Sequence, residues 1–96
     1  MDKSGGVTVD MLNCISAETE LQDARLNKAY KEVMAQLSPV RKKQLKDAQR
    51  AWLKYRDANC NFYADEDGGS MATIASNDCF LSATASRARE LEGFKE

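Results

Sequence analysis

The chain has 96 residues, of which 43% are hydrophobic and 30% charged, with a formal net charge of −1 and no histidine. This composition is typical of one small globular domain and not of a disordered chain, and no apolar run approaches the roughly 18 residues that span a membrane. The absence of histidine excludes imidazole nucleophile pairs, general bases and metal ligands.

The first part of the chain predicts one long helix. Residues 1–6 are expected to be a frayed, disordered end, and Thr8 is placed to cap a helix over about residues 8–37. The clearest apolar stripe, at alternating spacings of three and four residues, consists of Leu26, Tyr30, Val33 and Leu37. This spacing puts those side chains on one helix face.

Ser38-Pro39 is the sharpest boundary in the sequence, since proline disfavours helical geometry at the residue before it and suits the first position of a new helix. We therefore predict that Ser38 caps a second helix from Pro39 to about Ala64. The face of this helix that organises the fold is expected to carry Leu45, Ala48, Trp52, Tyr55, Asn59 and Phe62.

The segment Asp65–Gly69 predicts a turn, because glycine supplies the backbone conformation that ends a helix. Ser70 is expected to cap a third helix over about residues 71–92, with Asn77-Asp78 as a candidate interruption. Short links between amphipathic helices favour antiparallel neighbours. The prediction is an all-α, antiparallel three-helix bundle or hairpin in a single domain.

The three cysteines leave two interpretations open. A hairpin at the Gly68-Gly69 turn could bring Cys60 and Cys79 together, and such a disulfide would stabilise the fold by roughly 3 kcal/mol. Cys14 would then be unpaired, or paired with a cysteine missing from this sequence. The alternative is a cytosolic protein with three reduced thiols. The start, MDKSGG, contains no apolar signal-peptide region, so we expect a mature exported domain whose leader has been removed.

Charge is distributed unevenly along the chain. Residues 38–56 carry seven basic side chains and one acidic one, whereas residues 57–79 carry five acidic side chains and no basic one. A basic block can bind nucleic acid, but these side chains point around the helix and the pI is about 5.5. A solvated helix surface with ion pairs is the better interpretation.

The acidic turn Asp65-Glu66-Asp67 has the residue types of a calcium loop, but an EF-hand needs a bidentate Glu at position twelve, which here is Ser76. No metal or other cofactor is predicted. The turn is interpreted as a polar connection that could also meet a basic protein surface.

Trp52, Tyr55 and Phe62 are expected to pack in the core, with an exposed binding stripe as the alternative. Arg56, which lies among them, is expected to pair with a carboxylate such as Asp23 or Glu90. Gln49 is expected to bond to backbone or to Asn27. No pair of carboxylates stands in a context that indicates burial, so no catalytic residue is predicted.

One set of spaced residues runs through about residues 10–92. In chain order it reads Cys14; Asp23, Leu26, Asn27 and Tyr30; Leu45, Gln49, Trp52, Tyr55, Arg56 and Cys60; Gly68-Gly69; Cys79; and Arg87 with Leu91. This set resembles the lysozyme inhibitor LprI-like N-terminal family. The resemblance implies a small, exported, disulfide-bonded helical domain of the bacterial envelope, with a further cysteine that would fall upstream of Met1.

The resemblance also implies a protein partner, with lysozyme as the candidate, and no enzymatic activity. The residues of the set are interpreted as structural, so the acidic side chains Asp65, Glu66 and Asp67 are the predicted partner surface. The alternative is an adaptor module of the envelope that holds a partner protein through the aromatic region or the basic helix. A monomer without nucleic acid, in the periplasm or secreted, is expected.

Overall fold

The structure, a computed structural model, describes residues 3–94. It contains three α-helices, α1 (Lys3–Gln36), α2 (Pro39–Phe62) and α3 (Gly69–Glu92), with a short 3₁₀ helix (Glu66–Gly68) before α3. No strand occurs among the described residues. The prediction of an all-α fold of three helices is confirmed.

Helix α1 begins at Lys3, so the prediction that Thr8 caps it is wrong. Residues 3–6 of the end that was expected to fray lie within this helix, while Met1 and Asp2 lie outside the described residues. At 34 residues, α1 is about 50 Å long, against about 36 Å for α2 or α3. Its first turns therefore extend past the other two helices, which agrees with the overall extent of 58 × 22 × 14 Å.

The Ser38-Pro39 boundary forms as predicted. Ser38 has an extended backbone, and its side-chain oxygen accepts a hydrogen bond from the backbone N–H of Arg41 at 3.4 Å, with Pro39 as the first helical residue. The serine thus satisfies one of the donors that the first turn of α2 leaves free. Helix α2 ends at Phe62, two residues before the predicted end.

Helix α3 begins at Gly69, two residues earlier than predicted. Gly68 occupies the N-cap position without a side-chain bond, so Ser70 does not cap the helix. The helix continues through Asn77 and Asp78 without an interruption. The side-chain amide of Asn77 donates to the carbonyl of Thr73 at 2.8 Å, which satisfies its polar group inside the helix instead of breaking it.

The three helices run up, down and up. Helix α2 is antiparallel to α3, since Cys60 is bonded to Cys79 near the turn and Gln49 is bonded to Arg87 further away from it. Helix α3 packs against both neighbours and most extensively against α1, whereas α1 and α2 have few direct backbone contacts. An open side between α1 and α2 follows from this arrangement.

The apolar core lies between α1 and α3. Its buried members are Leu26, Ala29, Val33, Leu37, Ala88 and Leu91, with Tyr30, Met34, Leu45, Trp52 and Phe94 packed against them. The α1 stripe read from the sequence is therefore the core face of that helix. Such burial of aliphatic side chains stabilises the fold by roughly 1.5–3 kcal/mol for each large side chain.

The inward face of α2 differs from the predicted one. Leu45, Gln49, Trp52, Arg56 and Asn59 are its half-buried positions, followed by the fully buried Cys60. Ala48 is exposed, and so are Tyr55 and Phe62, at 64% and 79%. The expectation of core packing is thus wrong for Tyr55 and Phe62, because polar Gln49 and Arg56 occupy the inward stripe in their place.

Candidate functional site

The Cys60–Cys79 disulfide is present, as predicted, and ties the end of α2 to α3 with a Cα–Cα distance of 5.4 Å. Cys60 is completely buried, and its carbonyl accepts a hydrogen bond from the hydroxyl of buried Ser76 at 2.9 Å. Cys14 is free and exposed. The disulfide therefore fixes the base of the turn that joins α2 to α3.

The turn itself is held by local bonds and by two glycines. The Asp65 carboxylate accepts from the backbone N–H of Asp67 at 3.0 Å, which caps the short 3₁₀ helix. A Cβ atom on Gly68 would lie 2.6 Å from the Cβ of Ala72, and Gly69 has a φ of 60°. Because other residues rarely adopt that φ, the Gly68-Gly69 pair fits the backbone of this turn.

Exposed aromatic side chains lie directly beside the acidic turn. Phe62 is 79% exposed and Tyr63 is 48% exposed, and their rings contact edge to face with centroids 5.7 Å apart. Asp65 and Asp67 are also exposed, while the side chain of Glu66 lies outside the described part. We call Phe62, Tyr63 and residues 65–67 the turn surface. Exposed aromatic groups followed closely in the chain by exposed carboxylates are suited to meeting a basic protein.

A second cluster joins α2 to α3 around the single tryptophan. The Arg56 guanidinium lies 5.3 Å from the centroid of the Trp52 ring and 5.3 Å from that of Phe80, and the Arg87 guanidinium lies 5.9 Å from the Trp52 ring. A guanidinium within about 6 Å of a ring is attracted by its electron-rich face. We call Gln49, Trp52, Arg56 and Arg87 the arginine–tryptophan cluster.

Polar bonds complete this cluster. Arg87 donates from Nε to the Gln49 side-chain oxygen at 2.9 Å and also contacts Glu90. Arg56 donates to the hydroxyl of the completely buried Thr84 at 3.4 Å. The predicted partners of Gln49, backbone or Asn27, are therefore wrong, and its observed partner lies on α3.

Arg56 pairs with Asp57, the next residue in the chain, at 2.9 Å, and the Arg56 side chain is 18% exposed. The predicted ion pairs of Arg56 with Asp23 or Glu90 do not form. The sequence offered no signal for this choice, because adjacent positions on a helix do not normally face each other. The long Arg56 side chain nevertheless reaches Asp57 while its guanidinium stays against the rings.

The α1 members of the sequence set are divided between core and surface. Leu26 is buried in the core with Leu91, and Tyr30 packs against it. Asp23 and Asn27 are both exposed, and their side chains are 3.5 Å apart at the nearest polar atoms. The structure thus does not gather all of the set into one site, and of its exposed members Asp23 and Asn27 line a groove between α1 and α2.

The basic block of α2 lies mainly in solvent. Lys42, Lys43, Lys46, Arg50 and Lys54 are all exposed, and Lys43 pairs with Asp47 at 3.0 Å. Among the described residues, no group of three or more His, Cys, Asp or Glu side chains could hold a metal ion. Within the same part of the chain, no helix combines the length and the apolar character needed to cross a membrane.

The three helices and the Cys60–Cys79 disulfide together define a small, disulfide-bonded, three-helix domain. The chain matches the family described as lysozyme inhibitor LprI over residues 1–91 and belongs to that family. It is 32% identical over 102 aligned residues to an uncharacterized protein of Rhizobium meliloti, with 92% of this chain and 73% of the relative covered.

The chain is also 30% identical over 99 aligned residues to the uncharacterized protein YecT of Escherichia coli, with 86% of this chain covered. It spans 61% of the length of that relative. No solved structure matches the chain significantly.

Proposed function

We propose that this protein is an exported, non-catalytic binding protein of the bacterial envelope that inhibits lysozyme by docking its turn surface. The observation that carries the proposal is the exposure of Phe62, at 79%, three residues before the acidic run Asp65-Glu66-Asp67. Membership of the lysozyme inhibitor LprI family supports the choice of partner.

The charge of the turn surface supports a basic partner. Lysozymes of the animal type are basic, and residues 65–67 are three acidic residues in one turn, of which Asp65 and Asp67 are exposed. Opposite charges on two surfaces raise the rate of encounter and fix the orientation of docking, and both effects weaken as salt screens them. The proposed interaction is therefore salt-sensitive.

The aromatic part of the turn surface supplies apolar contact area. Phe62 and Tyr63 form an edge-to-face pair, so each ring restricts the other before a partner arrives. The Cys60–Cys79 disulfide restrains the backbone beneath them. A surface that is ordered in advance loses less conformational entropy on binding, which favours this turn as the docking element.

The proposal contains no catalytic step. The sequence has no histidine that could act as a general base or nucleophile partner. We propose that a monomer in the periplasm or outside the cell blocks lysozyme by occupying its surface, without nucleic acid, metal or cofactor.

The test is lysis of bacterial cell walls by a purified animal-type lysozyme, with the folded, disulfide-bonded protein titrated in at low and moderate salt. We expect dose-dependent inhibition that weakens as salt increases. Lysis that is unchanged at both salt concentrations would contradict the proposal and favour the alternative below.

The alternative is an adaptor module that holds another envelope protein through the outer face of α2. Tyr55 and Phe62 are both exposed and lie two helical turns apart on one face. Trp52 was also a candidate for this binding face, but it is half-buried within the arginine–tryptophan cluster. It is therefore excluded from this alternative. If the alternative holds, Tyr55 contributes as much to partner binding as Phe62 does.

A further inference from the structure

The open side between α1 and α2 contains a polar groove that the proposed function does not use. Two cavities, of about 290 and 370 Å³, lie along it and share Asp23 in their walls. The larger cavity is also lined by Asn77 and Phe80 of α3, and the groove is open to solvent. It is large enough for a small extended ligand.

One wall of the groove, on α2, carries hydrogen-bond donors that have no partner in the described part of the chain. Lys46 and Arg50 line the groove one turn apart and form none of the ion pairs observed in the described residues. Gln49 lies between them and uses its side-chain oxygen for Arg87, which leaves its amide N–H groups for the groove. This wall is suited to a carboxylate.

The opposite wall, on α1, becomes acidic toward the other end of the groove. Glu20 and Asp23 line the cavity that also contains Arg56, and the Arg56 charge is already paired with Asp57. The bond between Asp23 and Asn27 is long, at 3.5 Å, so the Asp23 carboxylate keeps accepting capacity. This end is therefore suited to an ammonium group.

The groove thus has an acidic end at Glu20 and a basic end at Lys46, which lines the same cavity as Tyr30, with the amides of Asn27 and Gln49 between the two ends. Glu20 and Tyr30, ten residues apart on α1, are separated by about 15 Å along the helix axis. An extended peptide spans at most about 3.3–3.6 Å per residue. Four residues therefore fit the distance between the two charged ends.

We propose that this groove binds a short peptide of about four residues, with its free amino end at Glu20 and Asp23 and its free carboxylate at Lys46 and Arg50. Side-chain amides in the middle of the groove pair with the peptide backbone. This activity is independent of docking through the turn surface, which lies at the turn end of the bundle.

Tetra-alanine is a suitable probe because it offers both termini and almost no side chain. Isothermal titration with the full chain is expected to give a saturable 1:1 complex with a dissociation constant below about 5 mM, which is within reach of a few polar contacts. Acetylation of the amino end and amidation of the carboxyl end are each expected to weaken binding at least fivefold. Equal binding of the capped peptides, or no saturable binding, would overturn the proposal.

A matched pair of variants distinguishes the groove from general charge attraction. Arg50→Gln removes a cation from the groove wall, whereas Lys54→Gln removes an exposed cation from the next turn of α2 that does not line the two cavities. We expect at least fivefold weaker binding for Arg50→Gln and less than twofold change for Lys54→Gln. Equal losses would overturn the proposal.

Chemical-shift changes in a nitrogen–proton correlation spectrum show where on the protein the peptide binds. The side-chain N–H groups of Asn27 and Gln49 are expected to shift on addition of tetra-alanine, while those of Asn61, near the turn, stay in place. Shifts confined to residues outside the groove would contradict the assignment even if the peptide binds.

Discussion

The guanidinium of Arg56 and the ring of Trp52 are 5.3 Å apart, and Arg87 approaches the same ring from α3 at 5.9 Å. Two arginines from two helices thus converge on the single tryptophan of the chain. The apolar core lies mainly between α1 and α3, and α2 is held in place by this cluster, by the disulfide and by the packing of Leu45 against the core.

Replacing Arg87 by alanine tests the role of the arginine–tryptophan cluster. The change leaves the half-buried Gln49 oxygen without its donor and removes the contact with Trp52, so we expect a loss of about 2 kcal/mol in the free energy of unfolding. Urea denaturation measures this loss. Arg89→Ala, an exposed position on the same helix, is the control and should change stability by less than about 0.5 kcal/mol. Equal effects would show that the cluster does not stabilise the fold.

The Cys60–Cys79 disulfide closes a loop with a sequence separation of 19. Replacing both cysteines by serine is expected to lower the free energy of unfolding by roughly 3 kcal/mol, because the unfolded chain gains conformational freedom. Thermal and urea unfolding measure the loss. Cys14→Ser is the matched control, since Cys14 is free and exposed, and a comparable loss in that variant would contradict the assignment.

The ion pair between Arg25 and Glu92 makes the free energy of unfolding depend on pH in the acidic range. Arg25 donates from Nε at 2.6 Å to one Glu92 oxygen, and this hydrogen bond holds the pKa of Glu92 below its ordinary value. A lowered pKa in the folded state gives stability that is fully present above about pH 4.5, the ordinary pKa of a Glu side chain, and is lost as the pH falls through the lower folded-state pKa.

We therefore expect Glu92→Gln to reduce stability at pH 7 and to lose this difference from the unchanged protein as the pH falls through the folded-state pKa of Glu92, as measured by urea unfolding at several pH values. Glu32→Gln removes an exposed carboxylate that has no ion pair in the described part of the chain, and it provides the control for loss of one negative charge. A difference that persists undiminished below the folded-state pKa of Glu92 would argue against the ion pair.

Phe62 tests the aromatic part of the turn surface. Because its side chain is 79% exposed, Phe62→Ala should change stability by less than about 0.5 kcal/mol while weakening lysozyme binding at least tenfold, as expected for an aromatic anchor. Tyr55→Ala, an exposed aromatic two turns earlier, is the control. A larger loss of binding for Tyr55→Ala would move the interface to the outer face of α2.

The helices were predictable because the local signals were strong. Ser38-Pro39 combines a capping side chain with a residue suited to the first helical position, and α2 begins there. The α1 stripe from Leu26 to Leu37 is aliphatic at regular spacing, and it forms the core. The start of α1 was harder to predict, because Thr8 has the side chain of a cap but continuation of the helix satisfies the same backbone groups.

The inward face of α2 was not predictable from apolar periodicity. Its middle is occupied by Gln49 and Arg56, whose polar groups find partners on α3 and at Asp57. A prediction based on hydrophobic spacing instead places Tyr55, the residue before Arg56, on the face of α2 that points toward the core. The contacts that set which face of α2 points inward join residues distant in sequence, such as Gln49 and Arg87. No local sequence pattern indicates such contacts.

The turn surface was predictable in part. The run of acidic residues after α2 is visible in the sequence, but the exposure of Phe62 beside it depends on the same rotation of α2 that brings Arg56 inward. The groove between α1 and α2 depends on the packing of three helices. Asp23 and Lys46 become its opposite walls only because α3, and not α2, covers the core face of α1.

The most direct test of the account compares lysozyme affinity for two triple variants at low salt. One variant neutralises the turn with Asp65→Asn, Glu66→Gln and Asp67→Asn, and the other carries Asp10→Asn, Glu18→Gln and Glu32→Gln on α1, which gives the same net charge. Exposed ion pairs contribute roughly 0.2–1 kcal/mol each, so we expect the turn variant to bind roughly tenfold more weakly, with little change for the α1 variant. Equal affinity of the two variants would show that lysozyme does not dock on the turn surface.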